Sequence, residues 1–175
     1  LIFFEMSVTL RKALFLATTL AYSLFAHGGV VVGTWNGNWF PSGRAEHRAH
    51  PSVELATTEV AANMLSSALA AIDPQGTNDV ILILNEIRSP SVASNLIKRI
   101  SRKGLNLASI SGYRRRDRYD QQQDVIVTTL EVASRGWSRW RNEKAQTPPR
   151  GYAYANIVIT PAVTARVYAV HFKSN

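Results

Sequence analysis

The sequence contains no cysteine. That excludes a disulfide framework and thiolate chemistry, so any bound metal has to be held by oxygen or histidine ligands. Acidic residues are few: 12 Asp and Glu stand against 20 Lys and Arg, a formal net charge of +8. A basic balance suits polyanionic partners such as nucleic acid or an anionic membrane surface. It is also common among basic soluble proteins, so charge alone decides nothing. There is no internal repeat, no low-complexity tract and no interdomain linker. What is present is ordinary for a globular chain: 46% hydrophobic residues in a length of 175, enough for one domain with a core.

The first 26 residues read as a leader. Arg11 and Lys12 precede an apolar run from Ala13 to Ala26 that is too short for a comfortable membrane span and ends in small residues. This is the signal-peptide pattern. Met6 is the expected start, with Leu1–Glu5 upstream of it, and cleavage is expected after Ser23 or Ala26. An uncleaved N-terminal anchor is the rival reading. The expectation is a secreted or periplasmic protein with no stable membrane span after cleavage and one domain from residue 27 to 175.

The rest is organised around Asp79-Val-Ile-Leu-Ile-Leu-Asn-Glu-Ile-Arg88. Five apolar residues in succession predict a strand buried on both faces. A carboxylate at the end of such a strand is costly unless a cation meets it. Glu86 is therefore expected either to be capped by Arg or Lys or to hold a metal ion. Gly29–Trp35 predicts a second strand, stopped by the turn-rich Asn36–Ser42. Ser52–Ile72 has helical periodicity and a fair N-cap, and Asp73-Pro-Gln-Gly76 ends it. Strand, helix and strand make a βαβ-like unit, which can bring Asn36 and Glu86 together across 50 positions.

Further along, a helix is expected over Ser91–Ser101, closed by Arg102, Lys103 and Gly104. Strands are expected over 105–110, 124–130, 152–160 and 164–171, the last two as a hairpin through Pro161. Residues 131–149 are expected to be loop, with Trp137 and Trp140 among arginines. Tyr113-Arg-Arg-Arg-Asp-Arg-Tyr-Asp120 reads as a solvated polar loop or as a phosphate-binding one flanked by tyrosines. His47 and His50 have no carboxylate at ligand spacing and read as solvated.

Three strand ends thus carry polar groups, in Thr34-Trp-Asn36, Leu84-Asn-Glu86 and Val170-His-Phe-Lys-Ser-Asn175. In this order and spacing they resemble the endonuclease/exonuclease/phosphatase family from about Val30 onward. That family includes pancreatic-type deoxyribonucleases, apurinic-site endonucleases, and sphingomyelin and inositol-phosphate phosphodiesterases. The resemblance implies a two-sheet α/β sandwich of the deoxyribonuclease-like type, incomplete at its C-terminus. It implies a site at one edge that uses Mg2+, or another divalent cation such as Mn2+, to hydrolyse phosphate esters. Within it Glu86 matches the metal-binding carboxylate and Asn36 the asparagine that orients metal or water. His171 matches the histidine that contacts the scissile phosphate. Arg88, Arg114, Lys173 and Asn175 are expected near substrate. Asn38 stands where some relatives carry aspartate.

The residue types suit that chemistry. Mg2+ takes oxygen ligands, keeps several waters and needs only one or two carboxylates. The family's later Asp-x-Asn and Ser-Asp-His motifs do not occur in these 175 residues. The chain is therefore expected to be the N-terminal part of a longer hydrolase and weakly active by itself, with one sheet face left uncovered. Nucleic acid is the expected substrate, given the net charge and the Arg114–Arg118 cluster. Lipid or small-molecule phosphates on the same fold are the alternative, as is an exported binding module without catalysis.

Overall fold

The computed structural model describes residues 20–23, 29–41, 51–112, 122–138 and 151–171. Two sheets and two helices make a mixed α/β fold. The strands are β1 (Leu20–Ser23), β2 (Val30–Phe40), β3 (Asp79–Ile87), β4 (Asn106–Ile110), β5 (Gln123–Thr128), β6 (Val132–Ser138), β7 (Tyr152–Thr160) and β8 (Val163–Val170). The helices are α1 (Pro51–Ile72) and α2 (Pro90–Ile97). One sheet has the order β1-β2-β3-β5-β4 and the other β6-β7-β8.

β2 and β3 are parallel neighbours with α1 between them in sequence, the expected βαβ unit. β5 joins β3 antiparallel, so the sheet is mixed. The apolar run of β3 is buried on both faces, as its composition requires. Val80, Leu82 and Leu84 lie in a cluster with Trp35, Ala61, Ala62, Leu65, Leu69 and Leu96, which joins the sheet to both helices. Ile81 and Ile83 turn the other way, toward Ile126, Ala153, Ala155, Ile157 and Ala169. The second cluster is the seam where the two sheets pack.

α1 is long and apolar enough, by length and composition, to cross a membrane. Its Ala61, Ala62, Leu65 and Leu69 stripe is nevertheless committed to the core. Asp73 closes the helix by accepting from the backbone of Thr77 (3.2 Å) and Asn78 (3.0 Å) and by pairing with Arg102 at 2.8 Å. Arg102 also donates to the Asn78 carbonyl. α2 begins with Ser89 accepting from Val92 N, with Pro90 at the first helical position.

Three expectations need correction. β6 runs through Val132–Ser138, where a loop was expected. Its sequence lacks strand periodicity, and pairing with β7 holds it extended. A side chain at Gly136 would come within 2.6 Å of the Tyr154 hydroxyl, so the glycine lets that ring lie across β6. β2 does not stop at Trp35 but continues through an irregular segment to Phe40. α2 ends at Ile97 rather than Ser101, and turns carry the chain onward. Leu20–Ser23, within the expected leader, pairs antiparallel with residues 30–33 of β2. A strand edge otherwise offers unpaired backbone groups, which an added strand satisfies.

The hairpin of β7 and β8 forms as expected. Tyr152, Tyr154 and Tyr168 gather on its outward face, with Tyr152 and Tyr168 edge-to-face at 5.7 Å.

Candidate active site

The site is built where β2, β3 and β8 end together. Between the paired positions Asn36↔Asn85 and Phe40↔Ile87, β2 carries three residues and β3 carries one. The extra length forms a bulge whose Asn38 (φ 46°) and Trp39 (φ 62°) are left-handed. The single residue opposite is Glu86, itself left-handed at φ 60°. Gly37 sits at the tightest point, since a Cβ there would lie 2.7 Å from Phe40 Cβ and 3.2 Å from the Asn85 carbonyl.

The left-handed turn at Glu86 resets the alternation of the strand. Strict alternation would send Glu86 to the helix side with Val80, Leu82 and Leu84. Instead Ile87 joins that cluster, and the Glu86 carboxylate reaches His171, just past the end of β8. One backbone conformation thus brings an acidic group from one sheet to a histidine of the other.

Glu86 is 8% exposed. Its two oxygens are held differently. Oε2 accepts from Gln122 Nε2 at 2.8 Å and from Trp39 N at 3.0 Å. Oε1 has only looser neighbours, His171 Nε2 at 3.2 Å and Asn36 Nδ2 at 3.4 Å. Asn36 Nδ2 also lies 3.5 Å from His171 Nε2, while its Oδ1 accepts from Asn38 N at 2.8 Å. The two contacts of His171 Nε2 are alternatives. A protonated nitrogen donates to Glu86, and an unprotonated one accepts from Asn36.

Sequence reasoning brought Asn36, Glu86 and His171 to one place, and the three side chains are in mutual reach. It offered Arg, Lys or a metal as the partner of Glu86. Among the described residues no Arg or Lys pairs with it. Arg88, expected near substrate, forms an ion pair with Glu54 at 2.5 Å, tying the exit of β3 to the first turn of α1. Arg114, Lys173 and Asn175 lie outside the described residues, as do His47 and His50. Gln122 was missed. It stands one position before β5, and only the antiparallel pairing of β5 with β3 sets it beside Glu86.

Among the described residues no group of three His, Cys, Asp or Glu side chains gathers around one point. A closed multi-ligand cage of the zinc type is not what the described residues form. The one carboxylate is instead faced by the nitrogens of Asn36, Gln122 and His171, with the amide oxygens of Asn36 and Gln122 turned away from it. Gln122 is 2% exposed, and its Oε1 has no hydrogen-bond partner among the described residues. A buried acceptor without a donor, carried by the amide that grips Glu86, fits a hydrated oxygen-seeking cation such as Mg2+ or Mn2+. Compared with family models, with characterised proteins and with solved structures, the chain matches none.

Proposed function

We propose that the chain is a secreted, divalent-cation-dependent hydrolase of phosphodiesters acting on nucleic acid, with Glu86, Asn36 and His171 at its centre. The observation that carries this reading is the state of Glu86. A carboxylate 8% exposed is held by neutral N–H donors and a histidine, with no fixed cation from Arg or Lys among the described residues. A buried charge so placed calls for a positive partner. The resemblance to the endonuclease/exonuclease/phosphatase family supports the reading, since it relies on the same three strand ends.

A cation bound here would polarise a phosphoryl oxygen and offset charge on the leaving group. Glu86 Oε1 would hold it, and Asn36 would contribute through its Oδ1, which accepts from Asn38 N. His171, on the opposite sheet, would donate from Nε2 to a non-bridging phosphate oxygen. Its alternative contact with Asn36 keeps the ring at the site in the unprotonated state. The surplus of basic side chains, net +8, supports a polyanionic substrate. Activation of the attacking water is a separate task, for which an acid–base group typically contributes ~10²–10⁴-fold.

The test is a Mn2+ titration of the chain and of Glu86→Gln, followed by plasmid nicking with and without chelator. Binding by the wild type and its loss in Glu86→Gln support the reading. Equal Mn2+ affinity in the two proteins overturns it.

A further inference from the structure

Gln122 is the most buried polar side chain in contact with Glu86, and the proposed chemistry gives it no task. Its position is fixed by topology: it leads into β5, whose Gln123 is paired with Ile87, the residue after Glu86. The orientation of its amide is set by what it touches. Nε2 lies 2.8 Å from Glu86 Oε2, and the reverse orientation would set one oxygen against another.

An ionised carboxylate has two oxygens with about four lone-pair sites. Gln122 Nε2 and Trp39 N occupy both sites of Oε2 at 2.8 and 3.0 Å. Oε1 keeps contacts no shorter than 3.2 Å. The two oxygens have therefore been assigned different work. Trp39 contributes through its backbone, which no side-chain substitution removes, so the side-chain half of this assignment rests on Gln122.

Resting on the proposed cation site, we infer that Gln122 is a positioning residue that commits Glu86 to bind a divalent cation through Oε1 alone. By occupying Oε2 it prevents a two-oxygen grip on the ion. A cation held through one oxygen keeps more of its coordination positions for water and for a phosphoryl oxygen. The free Oε1 of Gln122 adds a second contribution, because water held by a cation is the kind of donor this buried acceptor lacks.

The experiment compares wild type, Gln122→Met, Gln122→Asn and Glu86→Gln in the full chain. Mn2+ affinity is read by electron paramagnetic resonance. The mode of carboxylate binding is read from the spacing of the carboxylate stretches in Mg2+-minus-apo infrared difference spectra. Methionine fills the same space without a donor, and asparagine withdraws the amide by one methylene. Both variants are expected to bind Mn2+ about 10–100-fold more weakly, the usual effect of losing a partner behind a metal ligand. Both are also expected to move the carboxylate bands from one-oxygen toward two-oxygen binding. A purely structural role for Gln122 would not move those bands. If Gln122→Met fails to fold, Gln122→Asn decides. Unchanged affinity and unchanged bands in a folded variant, with binding still lost in Glu86→Gln, overturn the inference and leave the proposed function standing. Absence of Mn2+ binding by the wild type, or its retention in Glu86→Gln, overturns both.

Discussion

Glu86 is a non-glycine residue at φ 60° inside a strand, and that conformation has a measurable cost. For an L-residue the left-handed region costs roughly 1–2 kcal/mol. Replacing Glu86 by alanine removes the carboxylate but keeps the Cβ that clashes there. Replacing it by glycine removes both. Either change leaves Trp39 N and Gln122 Nε2 without their acceptor, so that loss cancels between the two variants. Glycine also gives the unfolded chain more freedom, which offsets about 0.5–1 kcal/mol. The expected order is therefore Glu86→Gly more stable than Glu86→Ala, by about 1 kcal/mol. With a urea slope of roughly 2 kcal/mol per M, the midpoints should differ by ~0.5 M. Asn85 provides the internal control, because it is not among the left-handed residues. There Asn85→Ala should be the more stable of the pair. Equilibrium urea unfolding of the four variants decides the matter. If alanine equals or exceeds glycine at position 86, the backbone there is not strained and the account of how the carboxylate changes faces is wrong.

Further outcomes follow from other contacts. Gly37→Ala must displace Phe40 or the Asn85 carbonyl, which lie 2.7 and 3.2 Å from the new Cβ. It should cost about 1–3 kcal/mol as overpacking does, and should weaken Mn2+ binding, because the same bulge carries Asn36 and Trp39 N. Arg88→Met removes an ion pair whose side chains are 23% and 22% exposed, so it should cost only about 0.2–1 kcal/mol in thermal unfolding and leave Mn2+ affinity unchanged.

Burial opposes ionisation of Asp73, but the backbone of Asn78, the Arg102 hydrogen bond, the backbone of Thr77 and the Arg102 charge outweigh it and lower its pKa. Its contribution to stability is thus present above the ordinary carboxylate range and is lost as pH falls through the lowered folded value. Asp73→Asn should flatten the acid limb of stability below about pH 4, read from unfolding midpoints across pH. Binding of the chain to single-stranded DNA should weaken with salt by a log–log slope of about −0.7 per phosphate contacted; a flat response would sink the nucleic-acid assignment.

Much of this arrangement was legible in the sequence because it depends on local signals. The apolar run Val80–Leu84 is buried on both faces, and the strand–helix–strand order from Val30 to Ile87 gives the parallel pair. Asn36, Glu86 and His171 could be brought together because each lies where the apolar part of a strand gives way to polar residues. The remainder depends on contacts between distant segments. Val132–Ser138 is extended through its pairing with β7 and not through its own alternation. The antiparallel entry of β5 beside β3 sets Gln122 against Glu86, and no spacing along the chain encodes it. None of the left-handed residues 38, 39 and 86 is glycine, and only Asn38 is of a type that favours that region. The pairing of Arg88 with Glu54 on α1 likewise joins segments that no local signal links.

The seam between the sheets gives the site a further property. Glu86 belongs to one sheet and His171 follows the last strand of the other, so the pair forms only once the two layers have docked. A ligand that touches both residues acts as a clip across the layers. It should stabilise the docked pair by mass action, about 2.7 kcal/mol at a hundred times its dissociation constant. The same ligand leaves either sheet alone without that gain. Occupancy of the site thereby becomes a report on whether the two halves of the sandwich are joined.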